Sequence, residues 1–191
     1  MRLFVGIALG DELVRRLHVL LDALHERAAE MAPRARITWV PPERLHVTVR
    51  FIGNADEDRA RAIRSALEAP LTVKPFDLIV AGVGTYPKGR PPRVIWAGIS
   101  QGSSELQRME HEMSGRLERL GIAREARDYR PHVTLARVRD SAGLRVSPLL
   151  QGLSEGVLGT SRVDAATLFE SRLAPKGPAY ISLQRTPLAA L

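Results

Sequence analysis

Leu45-His46-Val47-Thr48-Val49-Arg50-Phe51-Ile52-Gly53 and Arg130-Pro131-His132-Val133-Thr134-Leu135-Ala136-Arg137 carry one pattern twice: His, apolar, Thr, apolar. Five histidines and eight threonines among 191 residues predict about 0.2 His-x-Thr matches, and roughly 0.04 once both other positions must be apolar. Two copies are therefore far above chance. Alternation of this kind reads as β-strand, where residues i and i+2 share a face. His46 then projects with Thr48, and His132 with Thr134, while Val47, Val49, Val133 and Leu135 anchor each strand from behind.

Outward from these strands the chain alternates between the two periodicities. Residues 2–9 read as a strand, with Leu3, Val5, Ile7 and Leu9 on one face. The N-terminal apolar run stops at Gly10-Asp11-Glu12 without a cleavage site in register, so it reads as that strand and not as a signal peptide. The spacing predicts a helix over 11–31, with Leu13, Leu17, Leu20, Leu21, Leu24 and Ala28 as its stripe. His18 and His25 lie off that stripe. A second helix is expected over 55–69, capped by Asn54 or Asp56. A third is expected over 104–120, with Leu106, Met109, Met113, Leu117 and Leu120 inward and a Ser104–Gln107 capping box. His111 falls off its stripe.

Further strands are expected at 37–40, 76–83, 94–99, 163–169 and 180–184. A Gly/Pro/basic loop should span 84–92, a short helix 147–153 and a turn 174–178. Strands mixed with helices in this order indicate an α+β fold with largely antiparallel sheets. A helix follows the first motif and precedes the second, so the chain reads as two related lobes that each offer one motif.

A chain of this length buries about 70% of its unfolded surface and needs no covalent or metal staple. It contains no cysteine, which excludes disulfides, zinc–thiolate sites and cysteine nucleophiles, and which favours a cytoplasmic location. No apolar run is long enough to span a membrane. The net charge of +7 favours an anionic partner. Nearly all the cations are arginines, however, which codon bias alone would produce.

Two imidazoles and two hydroxyls converging on one cleft suit phosphoryl chemistry without a metal. Imidazole titrates near neutral pH, so one His can accept a proton from water while the other donates to the leaving oxygen. Each such transfer contributes roughly 10²- to 10⁴-fold. Thr48 and Thr134 can donate to phosphoryl oxygens as charge develops. A cyclic phosphodiester fits one acid and one base on opposite sides. The motifs are symmetric, so this chemistry does not say which His is which. A zinc site lacks an acidic ligand in either motif, and no Gly-x-Ser-x-Gly elbow supports a serine triad.

With these residues the chain resembles the two-histidine phosphoesterase superfamily, and within it the RNA 2′,3′-cyclic phosphodiesterases, historically called 2′-5′ RNA ligases. Both motif segments match, as do Arg2-Leu3-Phe4-Val5, Gly82-Val83-Gly84-Thr85-Tyr86-Pro87 and Pro92-Arg93-Val94-Ile95-Trp96-Ala97-Gly98. Ser171, Leu173, Gly177 and Tyr180 fit a closing hairpin. Val47 and Val49 stand where leucine is usual, and Tyr86 where phenylalanine is common. The resemblance implies a bilobal fold, two mainly antiparallel sheets around a V-shaped cleft with helices outside. It implies hydrolysis of RNA 2′,3′-cyclic phosphate ends to 2′-phosphate, His46 as proton donor and His132 as acceptor, and reversible ATP-independent 2′-5′ joining.

Alternation puts Arg50 on the His46 face. The resemblance brings Arg137 to the phosphate, which requires its strand to end or bulge first. Both are substrate-binding candidates. The expected partner is an RNA end or nucleotide carrying a 2′,3′-cyclic phosphate, with no cofactor, metal or membrane, and the chain is expected to act as a monomer. Small cyclic nucleotides or 2′-5′ oligonucleotides are alternative substrates. A non-catalytic RNA-binding module is a further rival, although aromatics are only 5% of residues and give no evident stacking platform.

Overall fold

A computed structural model describes residues 1–153, 155–174 and 177–190. The chain runs β1 (Arg2–Ala8), α1 (Asp11–Met31), β2 (Arg36–Trp39), a 3-10 turn (Pro42–Arg44), β3 (His46–Asn54), α2 (Glu57–Ala66) and β4 (Phe76–Tyr86). It continues with β5 (Val94–Gln101), α3 (Ser103–Glu118), β6 (His132–Asp140), α4 (Val146–Leu149), β7 (Val157–Val163), β8 (Ala165–Arg172) and β9 (Ala179–Pro187). Every strand pair is antiparallel.

The two expected sheets are one. Their strands follow the order β7-β4-β5-β6-β3-β1-β8-β9, with β2 added beside β6. The halves meet between β3 and β6 at one pair, Val47 with Val133. Beyond that pair the slot next to β6 is taken by β2, which pairs from Arg36 to Trp39. β3 instead turns to β1. The order reads the same from both ends: β1-α1-β3 in one half corresponds to β5-α3-β6 in the other.

The helices cover one face. The α1 stripe, Leu13, Leu17, Leu20, Leu21, Leu24 and Ala28, is buried as the spacing predicts. Each long helix crosses to the other half: α1 packs on β7, and α3 on β3 and β5. Val47, Val49, Val133 and Leu135 are buried beneath them. No helix is long and apolar enough to cross a membrane among the described residues.

Four expectations change. The α2 cap is Asp56, whose carboxylate accepts from the Arg59 N–H at 2.8 Å, but the helix is shorter than predicted. The Ser104–Gln107 box does not form, because α3 starts one residue earlier on Gly102 at φ +92° and the Ser104 hydroxyl donates to Glu105. β4 runs on through Gly84 to Tyr86, since the glycine there serves packing and not a turn. β7 is a strand the sequence did not signal. Its buried face is Gly159, Ser161 and Val163, too polar and small to register as apolar alternation. Of the expected 174–178 turn, Pro175 and Lys176 lie outside the described residues.

Candidate active site

The β1–β3 register fixes which side chains face the open side of the sheet. Ala8 stands opposite His46 and Gly6 opposite Thr48, but Val5 opposes Arg50, so Val49 is an extra residue in β3. This β-bulge reverses the alternation. His46, Thr48 and Phe51 share the open face, while Val47, Val49 and Arg50 face the helices. β6 repeats the device. Trp96 opposes Thr134 and Ile95 opposes Ala136, leaving Leu135 as the extra residue. His132, Thr134 and Arg137 therefore share the open face.

The two arginine expectations divide on this point. The bulge that the resemblance demanded for Arg137 is present, and the side chain is exposed beside Thr38 and Val94. Arg50 is corrected: the same device in β3 turns it away from His46. It is 2% exposed, donates to the Ala123 carbonyl and pairs with Glu125 at 3.2 Å. Phe51 takes the place in the first motif that Arg137 takes in the second, and is 49% exposed.

Both imidazoles are held the same way. His46 Nδ1 donates to the carbonyl oxygen of Arg44 at 2.7 Å, and His132 Nδ1 to that of Arg130 at 2.8 Å. A carbonyl only accepts, so Nδ1 carries a proton in each ring and Nε2 is the nitrogen not held by the backbone. His46 Nε2 lies 3.0 Å from Thr48 Oγ1, whose hydroxyl donates to it when the ring is neutral. Burial holds His46 below its ordinary value, the Arg44 hydrogen bond opposes this, and repulsion from nearby Arg137 and His132 adds to it. His46, His132 and Arg137 thus belong to one electrostatic cluster.

Rings wall the site. Phe4 lies 5.0 Å from the His46 ring centre, and Tyr180 meets it edge-on at 5.3 Å. Tyr86 meets His132 edge-on at 5.8 Å and stacks on Trp96 at 5.0 Å. Phe51 and Phe169 complete the group through Phe4. Composition understated these rings: few in number, they are gathered around the two histidines. The signal available in sequence was the pair of glycines, Gly84 opposite Trp96 on β4 and Gly98 two residues along β5, that leave room for its indole.

A cleft of about 1090 Å³ opens over Thr48 and His132. Phe51, Tyr86, Arg93 and the 124–130 segment line it. Tyr129 in that segment is half-buried and donates its hydroxyl to the Thr48 carbonyl at 3.0 Å; loss of solvent around it pushes its phenol far up, so it stays a neutral donor. Among the described residues no group of three or more His, Asp or Glu could hold a metal ion. His18, His25 and His111 are exposed and stand apart from this cleft's lining.

Comparison with known proteins agrees with this geometry. The chain is 34% identical to the RNA 2′,3′-cyclic phosphodiesterase of Thermus thermophilus, over 98% of this chain and 90% of that one. It is 30% identical to the Archaeoglobus fulgidus protein of the same name, over 96% and 98%. A solved structure from Thermus thermophilus superposes with a TM-score of 0.75 at 28% identity, covering 98% of both chains. Escherichia coli LigT in complex with 3′-AMP shares the fold at a TM-score of 0.72 and 22% identity, covering 99% of this chain and 98% of that one. One family model matches twice, at residues 15–96 and 99–180, one motif in each match. On that double match and these identities, the chain belongs to the LigT like Phosphoesterase family.

Proposed function

We propose that this protein hydrolyses RNA 2′,3′-cyclic phosphate ends to 2′-phosphate ends, with His46 as proton donor and His132 as proton acceptor. The observation that carries the reading is the matched pair of Nδ1-anchored imidazoles, whose Nε2 atoms are left for chemistry. The relatives named RNA 2′,3′-cyclic phosphodiesterase support the substrate class.

His132 Nε2 takes a proton from water as the water oxygen bonds to phosphorus. The P–O3′ bond breaks on the opposite side, and Nε2–H of His46 protonates O3′. The product carries a 2′-phosphate and a free 3′-hydroxyl. Thr48, Thr134 and Arg137 hold the non-bridging oxygens as charge builds on them. Arrival of the anionic phosphate offsets the burial and the Arg137 charge that keep free His46 neutral, so substrate binding loads the acid. With the 5′-hydroxyl of a second RNA in place of the attacking water, the same step forms a P–O5′ bond as P–O3′ breaks, joining the ends reversibly through a 2′-5′ linkage with a free 3′-hydroxyl. We read the chain as one two-lobed unit acting as a cytoplasmic monomer without cofactor or metal.

The test uses an oligoribonucleotide ending in a 2′,3′-cyclic phosphate, with a chelator present. Wild type is expected to turn over, while His46→Ala and His132→Ala lose activity and keep the wild-type Tm. Activity retained in either variant, or activity in wild type that only zinc restores, contradicts the mechanism.

A further inference from the structure

Among the described residues the two motif strands share one ladder pair, Val47 with Val133, yet the mechanism needs the two imidazoles at a fixed separation. Each motif strand is led into by a segment that is bonded to the other motif strand. The segment before β3 is fastened to β6 by main-chain hydrogen bonds: β2 pairs with β6, and the Val40 N–H donates to the Leu135 carbonyl at 2.8 Å. It ends at Arg44, whose carbonyl orients His46. The segment before β6, residues 123–130, forms no ladder with β3. Side chains fasten it instead.

Arg50, turned inward by the bulge, donates to the Ala123 carbonyl. Its Nη1 lies 3.2 Å from Glu125 Oε1 without hydrogen-bond alignment, and the Phe51 N–H donates to the same carboxylate oxygen at 3.2 Å. Tyr129 donates to the Thr48 carbonyl at 3.0 Å. One residue later the Arg130 carbonyl receives His132 Nδ1–H. A guanidinium this buried is costly to desolvate, and losing its partners would leave an uncompensated charge inside the fold. Arg50 Nε has no hydrogen-bond partner among the described residues.

We infer that Arg50 and Tyr129 are positioning residues: they brace the 123–130 wall against the first motif strand and thereby fix the orientation of His132. The brace is one-sided. His46 is set by a backbone ladder, His132 by side chains reaching across the joint. The consequence for activity rests on the reading of His132 as proton acceptor, whereas the consequence for its ring does not.

The test is Tyr129→Phe in the full chain, which removes one hydroxyl and little volume, with Arg50→Met as a second variant. The unliganded protein is observed by NMR at the imidazole Nδ1–H resonances, and kcat and KM are measured separately. The expected result is faster solvent exchange of the His132 Nδ1 proton with that of His46 unchanged. A fall in kcat of roughly 10- to 100-fold, the scale of a misplacement near 1 Å, should accompany it with KM little altered. If wild type proves inactive on cyclic phosphates while Tyr129→Phe still frees the His132 proton, the brace stands and the proposed substrate falls. The brace is overturned if the His132 resonance is unaffected in Tyr129→Phe, or if both histidines change together in proportion to lost stability.

Discussion

Replacing Gly84 by alanine tests whether the ring wall beside His132 is as tightly fitted as the geometry requires. An ideal Cβ at Gly84 falls 2.3 Å from Cζ2 of Trp96, 2.7 Å from Cη2 and 2.8 Å from Cε2. Ordinary contact begins at 3.4 Å, so the indole must retreat by about 1 Å. Gly84 cannot give way, because β4 is pinned to β5 at the Gly84–Trp96 pair. Its backbone is not left-handed, so the whole effect is steric. The indole N–H has no hydrogen-bond partner among the described residues, and the ring is therefore held by packing alone. Overpacking of this kind costs about 1–3 kcal/mol, or roughly 2–12 °C in Tm for a chain of this size. The displaced ring takes Tyr86 with it, and Tyr86 borders His132. A shift of that order beside the acceptor is expected to lower kcat/KM by up to about 100-fold. Gly121→Ala is the control: at φ +71° with nothing within 4 Å, it strains the backbone by roughly 1–2 kcal/mol but touches no part of the site. Thermal denaturation and initial rates on both variants separate the two effects. Wild-type Tm and kcat/KM for Gly84→Ala would refute the reasoning, as would equal activity loss in Gly121→Ala.

Two further outcomes follow from His46. Its imidazole is harder to protonate folded than unfolded, so the unfolded chain binds the extra proton and stability declines as pH falls below the ordinary value of 6.5. His46→Gln should show a shallower loss between pH 7 and pH 5 in denaturant melts, and an identical slope would contradict this. Arg137→Ala removes a repelling charge, so the NMR titration midpoint of His46 should rise, while kcat/KM drops by about tenfold or more through loss of a charge-assisted hydrogen bond. An unmoved His46 midpoint would separate Arg137 from the cluster.

Strand alternation was sufficient for His46 with Thr48 and for His132 with Thr134, because both pairs lie before their bulges. It failed at Arg50, one residue past the extra Val49, since an inserted residue has no signature in hydrophobic pattern: valine suits either face. The matching bulge at Leu135 was reached for Arg137 only through resemblance. Long helices were legible because six buried positions repeat along α1. β7 was not, because an edge strand packed on Leu13 through Gly159 carries little apolar signal. The brace through Arg50, Glu125 and Tyr129 joins residues more than seventy positions apart and left no local mark.

The most direct measurement is the fate of the phosphate. An oligoribonucleotide with a 2′,3′-cyclic phosphate end, incubated with the protein in chelator and followed by ³¹P NMR, should convert to a 2′-phosphate end, with no conversion by His46→Ala or His132→Ala. Accumulation of the 3′-phosphate isomer, or an unchanged cyclic resonance with wild-type protein, would contradict the account.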